Sequence, residues 1–350
     1  MRGPVRRPLW PALLALLALD ACAAIPPPPA ADAGVFVDFP FTEVARIEHP
    51  PLDESSALLA SRRWPGTYWS VNDSGAEPML FALDADFRVQ VPAWLQDRYV
   101  HGPGTLRAPW PGIELAGATL IDWEALARID DLLYVADVGN NGNARRDLGF
   151  WELVEPVPDA TVAARPIRYL RVHYPEQAQF PGRVWEWDCE AVFADEGRLY
   201  LITKHRAAGE IRRLVPGARL YRFDPKEAKA ESAQRASTPL TLISRHEELV
   251  AATGADLSPD GNWLAVLTYT AIWFFPRPPA GDDWLAATPV IRPLPILRTR
   301  QAEAITWEDD RSLLIGNEDG TLFRMPIPDG ALGAALEGAL DAPGQSAETR

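Results

Sequence analysis

One pattern recurs five times along the 350 residues of this chain. Each unit reads as an acid, an apolar strand, a polar turn and a second apolar strand that ends in polar residues. The units begin at Glu54 ("ESSALLASRRWPGTYWSVNDSG"), Glu124 ("EALARIDDLLYVADVGNN"), Glu190 ("EAVFADEGRLYLITKH"), Thr253 ("TGADLSPDGNWLAVLTY") and Glu303 ("EAITWEDDRSLLIGNEDG"). A third strand follows in each, as "MLFALD", "FWELVEP", "LYRFDP", "AIWFFP" and "LFRMPIP". A fourth follows in the first four units, as "FRVQVPAW", "IRYLRVHYP", "LTLISRH" and "VIRPLPIL". Short apolar runs bounded by Gly, Pro, Asp and Asn, with little helical periodicity, mark an all-β chain. Recurrence of one unit implies that each buries its faces against its neighbours.

The fifth unit has no fourth strand after Pro328. "EVARIEHP", Glu43 to Pro50, stands ahead of the first unit as each fourth strand stands ahead of the next, and it can supply the missing one. The expected fold is therefore a β-propeller of five blades, each of four antiparallel strands, closed by an N-terminal strand; such radial packing leaves only short edges. The propeller spans 37–329, and 330–350 form a disordered or loosely attached tail. Unit starts lie 70, 66, 63 and 50 residues apart, more than the ~40 to 50 of compact propeller repeats. The excess falls in Pro- and Gly-rich insertions such as "DRYVHGPGTLRAPWPG" and "YPEQAQFPGRVWEW". A six-bladed alternative would need a blade hidden in one of these, and neither carries the strands.

The five-fold pattern, above all "QAEAITW" in the last unit and "DWEAL" in the second, resembles the SdiA-regulated family of bacterial periplasmic propellers. It is also similar to the "esterase-like activity of phytase" propellers. "LSPDGNWLAV", Leu257 to Val266, looks like the turn of WD40-like and TolB-type blades. The likeness covers roughly Val37 to Asp329 through short, degenerate motifs, and it implies a propeller of the cell envelope.

Ahead of the propeller, Arg2, Arg6 and Arg7 precede an apolar run from Leu9 to Leu19, which is the form of a secretion signal. The run is too short to span a bilayer as a mature helix. It ends in "LDAC", which resembles a bacterial lipobox, with Asp20 as an unusual member. That resemblance implies removal of 1–21, lipidation of Cys22 and, because Ala23 follows the cysteine, sorting to the outer membrane facing the periplasm. Residues 22–36, with "AAIPPPPAADAG", are a Pro-rich spacer expected to be poorly ordered.

Loss of three arginines and Asp20 with the leader takes the formal charge from −14 to −16. Such a body repels nucleic acid and anionic lipid headgroups and attracts cations, so contact with the membrane is expected through the lipid anchor only. Cys189 is the one cysteine besides Cys22, so no intrachain disulfide forms between mature, lipidated Cys22 and Cys189. Stability must come from a core, for which 47% hydrophobic residues and 13 Trp are ample in a chain expected to be monomeric.

In a propeller the first strand of a blade lines the channel and the second returns beside it, so the start of one and the end of the other meet at the same mouth. This places Glu54, Glu124, Glu190 and Glu303 in a ring, with Asn72, Asp73, Asp137, Asn140, Asn141, Lys204, His205, Tyr269, Asn317, Glu318 and Asp319 around it. The fourth unit departs, with Thr253 in the acid position and Asp256 three residues on. Converging carboxylates raise one another's pKa unless a positive charge lies among them. Calcium is the natural candidate, taking six to eight oxygen ligands; zinc would need His or Cys that this chain lacks. The candidate metal ligands are Glu54, Glu124, Asp137, Glu190, Asp256 and Glu303. Asn72, Asp73, Arg145, Lys204, Tyr269 and Asn317 are the candidate ligand-binding residues. The overlong loop "DVGNNGNARR", Asp137 to Arg146, is the loop singled out for function.

Three readings stay open. A periplasmic binding protein would hold calcium and through it a small molecule or protein partner. A calcium-dependent phosphoesterase, esterase or lactonase would use Glu124 or Glu190 as base, with His205, Lys204 and Arg145 on the substrate. A structural ring would staple neighbouring blades and hold no metal. No G-x-S-x-G elbow, H-E-x-x-H helix, P-loop, dinucleotide fingerprint or EF-hand loop is present.

Overall fold

Each sequence unit forms the four-stranded antiparallel part of one blade of a five-bladed β-propeller, and blades one and two each gain a short parallel fifth strand, Ala163–Ala164 and Thr238–Pro239. The computed structural model describes residues 26–104, 106–228 and 236–341; the leader and Cys22 lie outside the described residues. From the channel outward, blade one comprises Ser55–Ala60, Tyr68–Asn72, Met79–Leu83 and Ile113–Leu115, and blade two Trp123–Ile129, Leu132–Asp137, Gly149–Val154 and Arg168–His173. Blade three comprises Trp185–Asp195, Arg198–Arg206, Ala218–Phe223 and Thr241–His246, and blade four Ala252–Leu257, Trp263–Thr268, Ala271–Pro276 and Val290–Pro293. Blade five takes Ala302–Asp309, Ser312–Asn317 and Thr321–Pro326 from the end of the chain and Thr42–Arg46 from its beginning. That last pairing is the expected N-terminal closure, with Glu43 opposite Phe323 and Ala45 opposite Leu322.

Five apolar layers fill the five interfaces between blades. Trp69, Val71, Trp123 and Val135 join blades one and two, and Tyr134, Phe150, Leu201 and Phe223 join two and three. Phe193, Ile202, Trp273 and Trp284 join three and four, Leu267, Phe274, Trp307 and Ile315 join four and five, and Leu314, Leu322, Leu58 and Phe81 close the circle from five to one. Strand alternation puts one set of side chains into each of a blade's two layers, so near-continuous apolar strands are what this packing requires. The turns at the lower end are tight. Between Asp195 and Arg198, Glu196 and Gly197 both hold positive φ (47° and 77°), the hairpin geometry that matches strand twist.

Three expectations are revised. The fourth strand of blade one is Ile113–Leu115, not "FRVQVPAW". Asp84 accepts the backbone N–H groups of Asp86 and Arg88, Phe87 turns to φ 61°, and the segment makes a single bridge at Val89 before Pro92, which has no N–H to donate. The spacer is only partly a spacer: Pro26 and Ala33 are buried, and Val35–Phe36 adds a parallel fifth strand to blade four. The tail begins with a helix, Ala331–Asp341, whose Leu332 enters the layer between blades four and five. Among the described residues no helix is long and apolar enough to cross a membrane.

Candidate functional site

The site is built on a bulge that all five inner strands share. Near its upper end each inner strand carries one extra residue relative to its partner: Ser56 in blade one, Glu124 in blade two, Glu190 in blade three, Thr253 in blade four and Glu303 in blade five. A bulge frees its extra residue from the ladder and re-aims the side chain; here it forms the ring at the upper channel mouth. The ring is three glutamates and two hydroxyls. Ser56 Oγ donates to the Trp123 carbonyl at 2.8 Å and Thr253 Oγ1 to the Ala302 carbonyl at 2.8 Å, so these two positions staple adjacent blades. Glu54 is two residues out of register with the ring. It is exposed, and its backbone N–H donates to Asn72.

The three glutamates have different surroundings. Glu190 accepts Lys204 Nζ on both oxygens, one at 2.5 Å, and Arg206 lies 3.6 Å away. Burial is the largest influence on the Lys204 ammonium and works against it, yet the charges of Glu190, Glu303 and Asp188 together hold the pKa above its ordinary value. Lys204 also donates to Tyr269 Oη at 3.0 Å, and Tyr269 donates to Glu303 Oε1 at 2.8 Å, so Glu190, Lys204, Tyr269 and Glu303 form one continuous chain. Burial, then Glu190 and Glu318, push the Glu303 carboxyl well up.

Glu124 stands with acids alone. Oxygen atoms of Asp73, Asp122 and Glu124 all lie within 4.8 Å of one another. Among the described residues no Lys or Arg forms an ion pair with any of the three. Burial, then the charges of Asp73 and Asp188, push Asp122 up to about 8. Burial, then Glu190 and Asp73, raise Glu124 well above the ordinary carboxyl range; Asp73 is raised chiefly by burial. Gly139 makes room for the trio: a Cβ there would meet Asp122 and Glu124 carboxylate atoms at 2.4 Å. An all-carboxylate set suits a hard divalent cation and offers neither the nitrogen nor the sulfur that zinc favours. Above the ring the mouth opens into a cavity of about 470 Å³, with Asp73, Glu124, Glu190, Lys204, Tyr269 and Glu303 in its lining.

Glu124, Glu190, Glu303, Asp73, Lys204 and Tyr269 are thus brought together at this mouth. Other candidates are placed elsewhere or engaged structurally. Asp137 is buried against Arg145 at 2.8 Å and accepts the Asp122 N–H. Arg145 also donates to the Gly139 carbonyl and Asp147, while Arg146 stacks over Phe180. Asp256 belongs to the lower half of blade four, where it accepts from Thr306 Oγ1 at 2.9 Å and the Trp307 N–H at 2.8 Å. Asn72 and Asn317 organise turns, donating to the carbonyls of Pro51 and Thr299. His205 points away from Lys204 on the other face of its strand, bonded to Thr203 and packed on Gly217; burial and Arg245 hold its pKa down at about 4. The loop from Asp137 to Arg146 largely stitches blade two to blade three, through Asn140 to Asp188 and Trp187 and Asn143 to Trp187.

Asp122, Asp188 and Arg206 are site residues that the ring argument omitted. Asp188 is buried and accepts Arg206 Nε at 3.1 Å. The signal was available, since "DWE" and "DCE" put an acid two residues before the bulged glutamate, on the same strand face. The lower mouth holds a second cavity of about 510 Å³, but its acids are locally engaged: Asp195 with Arg277 at 2.8 Å, Asp260 with Ser258 and Asn262.

No family model matches the chain, and the search of curated proteins returns no match. Solved structures do. The PQQ-bound aldose sugar dehydrogenase of Streptomyces coelicolor matches 85% of this chain and 99% of its own at 10% identity and a TM-score of 0.44. An auxiliary nutrient-binding protein of Bacteroides thetaiotaomicron matches 78% and 69% at 8% identity and a TM-score of 0.38. The pyranose dehydrogenase PQQ domain of Coprinopsis cinerea matches 83% and 98% at 10% identity and a TM-score of 0.37. These neighbours are β-propeller proteins.

Proposed function

We propose that this is a calcium-dependent binding protein of the bacterial cell envelope. Asp73, Asp122 and Glu124 take up the cation, and a small ligand enters the cavity above it, held between the cation and the Glu190–Lys204–Tyr269–Glu303 chain. One observation carries the reading: three buried or half-buried carboxylates converge, and among the described residues no Lys or Arg forms an ion pair with any of them, while the acids beside them are matched by Lys204 and Arg206. Leaving several carboxylates together at low solvation is unfavourable unless a positive charge joins them. Calcium suits the set because its coordination is flexible and waters complete it; magnesium demands a tighter octahedron. The leader, the lipobox-like "LDAC" and the resemblance to SdiA-regulated and phytase-like propellers support an anchored, periplasmic setting.

Binding is favoured over hydrolysis of a phosphoester because the basic groups of the mouth are engaged within the protein. Lys204 serves Glu190 and Tyr269, Arg206 serves Asp188, Asn141 and the Ile211 carbonyl, and Arg145 serves Asp137 and Gly139. Titration calorimetry with calcium on chelator-treated protein tests the reading. One strong site that disappears in Glu124→Gln is expected, and absence of heat or of a melting shift refutes it. Turnover of a phosphoester or lactone panel by the calcium-loaded protein, abolished in Glu124→Gln, would replace the binding role with the hydrolase.

A further inference from the structure

Two guanidinium groups at the lower mouth have no counter-ion. Arg62 follows the inner strand of blade one, Arg128 stands near the end of the inner strand of blade two, and both line the cavity of about 510 Å³. Arg62 donates only to backbone carbonyls, through Nη1 to Glu308 at 2.9 Å and through Nη2 to Trp307 at 3.1 Å. Arg128 Nη1 donates to the Asp130 carbonyl at 3.2 Å, and its buried Nε finds no acceptor. Among the described residues neither arginine forms an ion pair. Carbonyl oxygens satisfy N–H groups and leave the positive charge uncancelled.

The acids of the same mouth are engaged elsewhere. Asp195 pairs with Arg277 at 2.8 Å, and Glu196 lies 3.8 Å from that same arginine. Asp256 accepts Thr306 Oγ1 and the N–H groups of Leu257 and Trp307. Asp260 accepts from Ser258 and Asn262, and Asp130 is exposed. At Arg128, burial and then the Arg62 charge outweigh Glu155, Asp256 and Asp130 and lower the pKa. Arg145 and Arg206, which have carboxylate partners, are raised instead. Like charges held together at low solvation are unfavourable unless an opposite charge joins them.

From this pair and its cavity, we infer a second binding site at the lower mouth, in which Arg62 and Arg128 hold the oxyanion head group of a small molecule, a carboxylate or a phosphate. The guanidinium fork presents N–H donors in the geometry that such oxyanions accept. Leu126 and Leu257 on the cavity wall offer a surface to the apolar part of the same molecule. The acidic body opposes anions at a distance, but salt confines that repulsion to about 8 Å at physiological ionic strength. The site is separate from the cation site and does not depend on which ion the upper mouth holds.

The test is calorimetry on chelator-treated protein at fixed ionic strength, with inorganic phosphate and succinate as probes; chelation keeps calcium out of the phosphate titration. At least one probe should bind with a Kd below about 1 mM. Arg128→Gln should weaken it about tenfold or more, and Arg128→Lys, which keeps the charge, should weaken it less. Arg311→Gln removes the same charge from an exposed pair with Asp329 and should leave binding within about twofold. In the wild-type protein, a saturating probe should shield Arg62 and Arg128 from phenylglyoxal, read by peptide mass mapping, so the outcome does not hang on how a variant folds. Binding of phosphate alone assigns a phosphorylated ligand and binding of succinate alone a carboxylate, and either supports the site. No heat from either probe, equal losses in Arg128→Gln and Arg311→Gln, or unshielded Arg62 and Arg128 would overturn it.

Discussion

Glu124 and Glu190 occupy the same bulge in adjacent blades, yet one half of the mouth is charge-matched and the other is not. Around Glu190, the neighbouring strand brings Lys204 and Arg206, and the chain continues through Tyr269 to Glu303. Around Glu124, the neighbouring strand brings Gly139, whose missing side chain admits Asp122, and blade one adds Asp73. The repeat fixes where the glutamate stands. What stands beside it, one strand over, decides whether the carboxylate becomes half of an ion pair or part of a cation site.

The sharpest break in this comparison comes from replacing each glutamate by glutamine. Glu190→Gln leaves Lys204 and Arg206 short of a counter-charge in a buried setting and should destabilise the metal-free protein by about 3 kcal/mol, measured by urea unfolding. Glu124→Gln should act in the opposite sense, slightly stabilising the metal-free protein by relieving repulsion while erasing the calcium-induced rise in Tm. Equal losses from both changes would dissolve the distinction between the two halves.

The pH dependence separates them next. Carboxyls in the unfolded chain ionise near pH 4, whereas burial and like charges lift Asp122 to about 8 and Glu124 well above its ordinary value. Groups raised in this way contribute stability that is fully present below about pH 4 and is lost as pH climbs toward about 8. Metal-free protein should therefore soften across that window, and calcium, which needs the ionised carboxylates, should bind more tightly across it. Calcium affinity that is flat from about pH 5 to 8 would contradict the assignment.

Gly139→Ala is a smaller perturbation, because its Cβ meets only the ends of two side chains. It should weaken calcium about tenfold, ~1.4 kcal/mol, by calorimetry, with little change in metal-free melting. Smallest is Ser56→Ala, which removes one inter-blade hydrogen bond and should cost about 1 kcal/mol without altering calcium binding.

Most of the fold was legible because the repeat is a packing device: apolar strands recur wherever a blade must fill two layers, and Glu43 to Pro50 matches the gap left after Pro328. The site was legible only to the nearest residue or two. Acid-first alignment put Glu54 beside Glu124, but the bulge register puts Ser56 there, and a one-residue bulge leaves no mark in hydrophobic alternation. Asp137 reads like a ligand in the sequence and is neutralised by Arg145, eight residues on, through a loop conformation that spacing does not reveal. Asp256 shows the same limit, since three residues along a strand carry it out of the mouth and into the lower half of the channel. Asp122 stands two residues before Glu124, a spacing that nominates it, but Glu54 has the same spacing to Ser56 and is exposed, so it is the convergence with Asp73 that makes Asp122 part of the site.

The central claim is that the Glu124 half of the mouth holds the cation and the Glu190 half does not. A crystal structure of the calcium-loaded protein, read by anomalous scattering, tests it directly. One ion is expected among Asp73, Asp122 and Glu124, with oxygen ligands at about 2.3–2.6 Å and the Lys204–Glu190 pair intact. An ion beside Glu190 or between Glu303 and Glu318, or no ion at the mouth at saturating calcium, would contradict the account.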